Sequence, residues 1–474
     1  MSPTEPLGKG ITMDLCNNRI TPLATRRETL QSLAYGFGWL AFSGLVGSNV
    51  DAGIAGDDAL APKRPHHAAR AKRVIFLYMS GAPSHVDTFD YKPDLTKRDG
   101  TSYRGNSKLL GSPWKFERHG ESGLPISELF PGVARHADDL CLLHGMQAGI
   151  PAHAQAQMQL HTGSFQFVRP SMGAWSLYGL GTENENLPGF ITVNPGNAAA
   201  QYGSAFLPAT YQGTPVRLSN RSRGGSNAPI DHLASDRNGA SVQQEQLALL
   251  RRLERDRSRR GKGDPAVETV LKQYELAFRM QTEVPDVVDL GAEDRRTLEM
   301  YGIGEEGTDA FGRQCLLARR FAEEGVRFIE IQAGGWDTHR NMRTALAARC
   351  NAVDKPIAGL LADLKRRNML DDTLVVWGGE FGRTPYAQGS DGRDHNAKGF
   401  TMWMAGGGVK GGFQYGSTDE IGREAVDGVM DTHDWHATLL HAIGLNHERL
   451  TFNHAGRDFR LTDVHGKVHE AIFA

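Results

Sequence analysis

Acidic and imidazole side chains directly follow two apolar runs of this 474-residue chain. Asp337 and His339 come after the run at 326–331, and Glu380 comes after the run at 373–377. Carboxylate oxygens and imidazole nitrogens are ligands that divalent cations of borderline hardness accept. Asp337 and His339 therefore indicate either metal ligands or, more simply, a polar loop in which an acid and an imidazole are hydrogen-bonded. For Glu380 the simpler alternatives are a helix cap or an ion-pair partner of Arg383.

A third such group, Asp394 and His395, precedes a further apolar run at 400–405. The first two runs are separated by a helical pattern at 347–368, and strand–helix–strand order favours a parallel sheet. Ligands of open α/β sheets bind outside the carboxyl ends of the strands. The sequence therefore predicts a site for a divalent metal ion, Zn²⁺, Mn²⁺ or Ca²⁺, at one edge of the sheet. The predicted ligands are Asp337, His339, Glu380 and His395.

Two more polar side chains follow the first predicted strand, at 72–79. His85 and Asp87 are two residues apart, so in an extended stretch both point the same way. They are predicted to complete a second metal site or to support the ligands of the first.

Catalytic roles are predicted for His153 and Arg383. His153 lies in the first turn of a predicted helix that ends at Gly163. There we expect it to hold an anion or to act as acid, base or nucleophile, with a capping or core histidine as the alternative. Arg383 is predicted to bind a sulfate or phosphate group, because a guanidinium grips such an anion through two hydrogen bonds.

The remaining apolar patterns predict strands and helices without an internal repeat. Strands are expected at 140–144, 190–193 and 411–416, and helices at 126–136, 170–179, 243–260, 265–281, 311–324 and 431–444. The net charge of −2 gives no reason to expect a nucleic acid or an anionic membrane as partner. The four cysteines form no CxxC pair, so neither a zinc ribbon nor a dense disulfide framework is indicated.

The first part of the chain resembles an export signal. Arg26 and Arg27 precede a mild apolar run at 33–46, which is too short and too rich in glycine for a transmembrane helix. Residues 59–61 form a plausible cleavage site, with 53–55 as the alternative. We therefore expect a twin-arginine-type signal and disordered segment at 1–61, a single domain at 72–474 and a periplasmic or otherwise exported protein without a stable membrane span. A surface helix with two ordinary arginines is the simpler explanation of the same pattern.

The motifs together resemble the bacterial family called domain of unknown function 1501, in the alkaline-phosphatase-like or sulfatase-like superfamily. They cover about residues 72 to 460 and are GAPSHVDTFD, HTG, GGWDTH, GGEFGRTP, GRDHN and HATLLHAIG. The resemblance implies an α/β fold with a mixed, mostly parallel central sheet between helices on both faces. It also implies one or two divalent metals and hydrolysis of phosphate or sulfate esters.

The resemblance places Glu380 where relatives in the superfamily carry Asp-His-Gly, and Asp337, His339 and His395 near other metal ligands. Sulfatases carry a Cys or Ser nucleophile ten residues before the Gly of a Leu-x-Thr-Gly sequence. Counting back ten residues from Gly163 leads to His153. The formylglycine mechanism is therefore not implied here. Either His153 takes over, or water attacks, or the site binds without turnover.

Two main functions follow as hypotheses. The first is an exported, metal-dependent hydrolase that acts on a small anionic ester or a sulfated glycan. The second is a non-catalytic envelope protein that keeps the fold and binds a glycan or an anion. A third, weaker hypothesis is a structural protein with an empty pocket.

Overall fold

The computed structural model describes residues 59–105, 107–196, 199–218, 240–259, 271, 275 and 286–474. All but the last three residues of the predicted export signal lie outside these ranges, as does most of the predicted helix at 265–281. Across the described helices, none is at once long enough and apolar enough to span a bilayer.

Most strands of the described residues are short. In chain order they are β1 Arg73–Ser80, β2 Ser102–Arg104, β3 Ser107–Lys108, β4 Phe116–His119, β5 Leu124–Ser127, β6 Leu140–Gln147, β7 Phe190–Val193, β8 Thr214–Val216, β9 Phe328–Gly334, β10 Thr373–Gly378, β11 Gly382–Ala387, β12 Arg393–Asn396, β13 Phe400–Ala405, β14 Phe413–Tyr415, β15 Ser417–Thr418, β16 Ala425–Asp427, β17 Met430–Asp431, β18 Phe452–His454 and β19 Arg457–Phe459.

Helices separate the longer strands. The α-helices with described bounds are α1 His85–Thr88, α2 Pro93–Lys97, α3 His153–Thr162, α4 Met172–Leu180, α5 Ala240–Arg259, α6 Arg295–Met300, α7 Asp309–Glu323, α8 Met342–Arg366 and α9 Thr432–Ala442. Short 3₁₀ turns occupy Val133–Asp139, Ala199–Gln201, Ala209–Tyr211, Leu290–Ala292, Leu370–Asp372 and Glu470–Ile472.

Nine strands form one sheet, in the order β14-β6-β13-β10-β1-β9-β7-β8, with β17 also paired to β6. β1 lies between β9 and β10 and is parallel to both, and β7 and β8 continue the parallel half. β13 runs antiparallel to its neighbours β10 and β6. The sheet is therefore mixed and mostly parallel, as predicted.

The central strand β1 is buried on both faces. Ile75 and Leu77 pack into a core layer that includes side chains of α7 and α8. Val74 and Phe76 point the opposite way, into a layer that includes side chains of α4 and α9. This alternation follows from the two-residue period of a strand. Helices thus cover both faces of the sheet, which confirms the predicted fold class.

The topology brings several loops to one edge. β1, β9 and β10 run in the same direction, so their carboxyl ends lie at the same edge of the sheet. β13 runs the opposite way, and therefore begins at that edge. The hairpin of β11 and β12 fills the space between the end of β10 and the start of β13, and pairs Arg383 with His395.

The prediction of a helix at 126–136 is wrong. Strand β5 occupies the first part, and a 3₁₀ turn at Val133–Asp139 follows. Pro131 and Gly132 lie between them. Proline disfavours the helical conformation of the residue before it, so an apolar run that contains it cannot continue as one helix.

The segment from residue 59 onward is bound to the body of the protein. The Tyr211 hydroxyl donates to the Ala59 carbonyl (3.1 Å), and the Lys63 ammonium donates to the Tyr178 carbonyl (2.7 Å). Cleavage at 59–61 would remove part of these contacts, whereas the alternative cleavage site lies outside the described residues. The position of the cleavage site stays a prediction.

Candidate metal centre

His153, Asp337, His339 and His395 lie together at the edge where β1, β9 and β10 end. One ligand atom from each lies within 4.8 Å of the others, and no other group of three or more such residues occurs among the described ones. His153 begins α3, Asp337 and His339 follow β9, and His395 lies on β12. The structure therefore brings together three of the predicted metal ligands and a histidine predicted to be catalytic. These four residues are called the ligand cluster below.

The ligand cluster has the dimensions of a metal site. From Asp337 Oδ1, the Nε2 atoms of His339, His153 and His395 lie at 2.9, 3.2 and 3.4 Å. The Nε2 atoms of His339 and His395 are 2.9 Å apart. Zinc bonds of about 2.0–2.1 Å in tetrahedral geometry place neighbouring ligand atoms about 3.3 Å apart. The measured separations are close to that value.

Each imidazole of the ligand cluster is held at Nδ1 by an oxygen atom that only accepts hydrogen bonds. The pairs are His153 with Glu380 Oε1 (2.6 Å), His395 with the Pro151 carbonyl (2.8 Å) and His339 with Gln388 Oε1. The proton of each neutral ring is therefore on Nδ1, which leaves an Nε2 lone pair directed at the common point.

With the proton of each ring on Nδ1, the Nε2 atoms of the ligand cluster face one another and Asp337 Oδ1, none of which can donate to them. His153 Nε2 is buried and makes no hydrogen bond, although Asp337 is near. Two unprotonated Nε2 atoms, those of His339 and His395, face each other and cannot form a hydrogen bond. A cation between the rings would satisfy all three lone pairs, so the residues fit the divalent metal that the sequence predicts.

Glu380 lies behind His153 and outside the ligand cluster. Its buried carboxylate accepts from the Gly81 amide (3.0 Å), the Tyr78 hydroxyl (3.1 Å) and the Gln157 side-chain amide (3.2 Å), as well as from His153. These contacts use the carboxylate oxygens fully. Glu380 was predicted as a metal ligand. The structure places it instead where its carboxylate orients the imidazole of His153.

Arg383 is not placed as an anion clamp. Its side chain is wholly buried, and it donates to Asp337 Oδ1 (2.6 Å) and to the carbonyls of Gly81 (2.5 Å) and Ala82 (3.0 Å). Binding a sulfate or phosphate would require these donors to be free. Arg383 instead holds the Asp337 carboxylate in place through this hydrogen bond and partly neutralises its charge.

His85 and Asp87 do not reach the ligand cluster. Asp87 accepts two hydrogen bonds from the buried guanidinium of Arg393 (2.7 and 3.0 Å), and His85 Nε2 contacts the Gly422 carbonyl (2.7 Å). The prediction that both point the same way assumed an extended chain. They lie instead in the helical turn α1, where residues two apart point in different directions.

The charges of the ligand cluster shift its pKa values. Burial alone would raise the pKa of Asp337, but the hydrogen bond and charge of Arg383 lower it to about 2. Partial burial would lower the pKa of His153, but the carboxylates of Glu380 and then Asp337 raise it. Burial lowers the pKa of His395. Asp337 is therefore ionised, and ready to bind a cation, throughout the physiological range.

Sequence reasoning missed the acceptors that orient the imidazoles. A carboxylate that follows two glycines after a buried strand was a signal for Glu380 at this edge, but not for its contact with His153. Neither Gln388 nor the Pro151 carbonyl carries a local signal, because a main-chain carbonyl or a loop amide is common everywhere. These contacts depend on loops that approach from distant parts of the chain.

Gly81 allows the loop of Asp337 to approach β1. Its φ is +108°, and a Cβ atom there would lie 2.8 Å from the Asp337 amide nitrogen. We expect Gly81→Ala to lower the free energy of unfolding by about 1–3 kcal/mol and to weaken metal binding. The matched control is Gly304→Ala, with φ +90° and nothing within 4 Å. It should destabilise the fold without changing metal affinity, and equal affinities of the two variants would contradict this role of Gly81.

The fold and the ligand cluster together define a mixed α/β-sheet protein with a candidate metal centre at the carboxyl edge of its parallel strands. The chain belongs to the family described as Protein of unknown function (DUF1501), which matches residues 71–473. None of the curated proteins matches the chain.

Several solved structures resemble this one at low identity. The lipoteichoic acid synthase LtaP from Listeria monocytogenes has a TM-score of 0.38 at 9% identity, over 85% of this chain and 78% of that one. The PsFucS1 sulfatase from Pseudoalteromonas sp. has 0.34 at 13%, over 86% and 72%. The alkaline phosphatase from the Antarctic bacterium TAB5 has 0.29 at 14%, over 71% and 92%. The function of the site must therefore be argued from its own geometry.

Proposed function

We propose that this chain is an exported, metal-dependent hydrolase of sulfate or phosphate esters. One observation carries the proposal, namely that three imidazoles, each anchored at Nδ1, direct their Nε2 atoms at the oxygen of one ionised carboxylate. Unrelated loops rarely converge in this way without a cation to bind, because the lone pairs would otherwise be left without partners.

The donor set limits the metal. His153, His339 and His395 would supply three nitrogen ligands, and Asp337 would supply one oxygen. Such a set favours Zn²⁺ or Mn²⁺ over Ca²⁺, which takes six to eight oxygen ligands. A divalent cation held there supplies a Lewis acid for the ester oxygen and lowers the pKa of a bound water molecule.

The ligand cluster is open to solvent on one side. The side chains of Asp337 and His339 are 44% and 31% exposed, whereas those of His153 and His395 are 25% and 19% exposed. Glu380 and Arg383 close the opposite side. Asp337 and His339 are thus the most accessible members of the ligand cluster, and this accessibility favours a working site over a closed structural one.

A non-catalytic binding protein is the second candidate function. His153 occupies the position where the resemblance would put a nucleophile, but its Nδ1 is engaged by Glu380 and its Nε2 faces the ligand cluster. Arg383 is wholly buried, and its Nε and one terminal nitrogen already donate within the protein. The second candidate shares the metal and the ligand with the first and differs only in turnover.

Turnover by purified protein separates the two functions. Protein prepared without a metal-binding tag would be assayed on a panel of aryl sulfates and aryl phosphates with added Zn²⁺ or Mn²⁺. We expect hydrolysis that disappears in Asp337→Asn and persists in Asp94→Asn, a control on an exposed ion pair. Metal binding with no hydrolysis of any member of the panel would favour the non-catalytic protein, and absence of metal would contradict both.

Metal affinity should depend on pH through the imidazoles. A ligand must lose its proton to bind, and the raised pKa of His153 makes its proton a stronger competitor of the metal. Asp337, with a pKa of about 2, stays ionised. We therefore expect zinc affinity to fall steadily from about pH 8 to about pH 5, within the range where histidines titrate. A titration series by competition with a chelator would measure it, and a flat profile would contradict it.

The export part of the proposal is supported by the twin arginine at 26–27 and the apolar run behind it. Conservative substitution with lysine at both positions is expected to keep the full-length chain in the cytoplasm, because the twin-arginine signal is recognised by its arginines. Cell fractionation measures this, and unchanged fractionation would remove the argument for export.

A further inference from the structure

A second carboxylate–imidazole pair lies on the same helix as His153 and takes no part in the ligand cluster. His161, two turns further along α3, contacts Glu330 Oε1 through Nε2 at 3.1 Å. Both side chains are almost completely buried. His161 Nδ1 contacts the Gln157 carbonyl at 2.7 Å.

The contacts of His161 define its protonation state. A carbonyl oxygen lies against one ring nitrogen and a carboxylate oxygen against the other, so both nitrogens donate and the ring is an imidazolium. Burial alone would lower the pKa of His161, but the Glu330 carboxylate raises it. His161 and Glu330 therefore form a charged pair in the interior, beside the rings of Tyr78 and Phe76.

Such a pair is a poor means of stabilising a fold. The free energy needed to take two charges out of water roughly offsets their mutual attraction. Apolar side chains of similar size in the same positions would stabilise the fold equally well. A buried pair instead favours one arrangement of the two elements that carry it. Any shift of one element relative to the other would leave a buried charge without its partner. Here the two elements are α3 and β9.

These two elements lead to two members of the ligand cluster. His153 begins α3, and Asp337 follows the end of β9. The pair thus joins the helix that carries His153 to the strand that leads to Asp337. The contact of His153 with Glu380 joins the same helix to the end of β10. Together the two pairs fix both the rotation of α3 and its position along the sheet.

We propose that His161 and Glu330 are positioning residues, which hold α3 at the rotation that brings His153 Nε2 to Asp337. The inference rests on the metal site of the proposed function but does not require turnover. The ion pair acts through the helix and has no contact with the metal or with a substrate.

The test uses full-length chain with two variants of the pair and one matched control. Glu330→Gln breaks the pair, and His161→Met/Glu330→Met replaces it by apolar side chains. Asp363→Asn breaks another buried pair, with Arg319 between α7 and α8, away from the ligand cluster. Each protein is assayed for thermal stability, for zinc affinity by competition with a chelator, and for the ¹⁵N shifts of the His153 ring in the metal-free state.

We expect Glu330→Gln to weaken zinc affinity by up to about tenfold, the low end of the ten- to hundredfold that loss of a direct outer partner of a ligand causes, because the pair acts on His153 only through α3. The His153 shifts should move, because the ring loses its fixed contact with Glu380. The double variant should regain thermal stability but not zinc affinity. Asp363→Asn should lower stability and leave affinity and His153 shifts unchanged.

A positioning role is overturned if Glu330→Gln and the double variant keep both zinc affinity and the His153 shifts of the unmodified chain. Failure of the proposed function has a different signature, in which the unmodified chain binds no zinc. In that case the His153 shifts of the metal-free proteins still decide the inference. Shifts that stay the same in all variants would reject it.

Discussion

Replacing both His339 and His395 by alanine is expected to remove the metal from the protein. Loss of a single outer partner typically costs ten- to a hundredfold in affinity, so loss of two ligands should cost at least about a hundredfold. The fold should change little in stability, because both side chains are partly exposed. Metal content per chain, measured by elemental analysis after dialysis, is the readout.

The control for that double variant is His119→Ala/His465→Ala, which removes two histidines outside the ligand cluster. It should keep the metal content of the unmodified chain. If the cluster variant also keeps its metal after dialysis, then His339 and His395 are not ligands and the convergence of the three imidazoles has another cause.

The second large effect is expected in stability rather than in metal binding. Asp87→Asn removes the charge that compensates the buried guanidinium of Arg393. Breaking a buried pair on one side costs about 3–5 kcal/mol of unfolding free energy, because the remaining charge stays in the interior. Chemical denaturation would measure this loss. Metal content should be unchanged, since Asp87 does not reach the ligand cluster.

The control for Asp87→Asn is Asp94→Asn, which breaks the exposed pair with Lys97. Exposed pairs contribute about 0–1 kcal/mol, so this variant should unfold close to the unmodified chain. An Asp87→Asn protein of full stability but without metal would reverse the assignment. It would return Asp87 to the role of ligand that the sequence pattern first indicated.

The sequence predicted the edge of the sheet where the ligand cluster lies. Apolar runs that end in Asp337 and Glu380, with a helical pattern between them, are enough to place both at the carboxyl ends of parallel strands. The antiparallel course of β13 then brings His395 to the same edge. The parallel course of β9 and β10 follows from a pattern within about seventy residues, whereas β1, which lies between them, comes from a distant part of the chain.

Which side chains face the centre of the ligand cluster and which lie behind it was not predictable. Glu380 and Arg383 are at the correct edge, but both lie one layer deeper, in contact with Gly81 and Ala82 of the loop after β1. Those contacts span about three hundred residues of sequence, and depend on how tightly two glycine-rich loops pack. The spacing of residues along the chain does not show how closely these two loops approach each other.

The failure at His85 and Asp87 has a different cause. Their placement depended on the local conformation of four residues, which form the turn α1 instead of an extended stretch. The partner of Asp87 is Arg393, on β12, which no local rule could supply. Residues that bury a full charge are therefore hard to separate from metal ligands on sequence alone, because both are acidic side chains near strand ends.

An anomalous difference map tests the central claim most directly. Crystals of the tag-free protein grown with Zn²⁺ would be measured on both sides of the zinc absorption edge. We expect one strong peak at zinc–ligand distances of about 2.0–2.2 Å from the Nε2 atoms of His153, His339 and His395 and from Asp337 Oδ1. A map with no peak among these four atoms, or with the metal bound at Asp87 and His85 instead, would contradict the account.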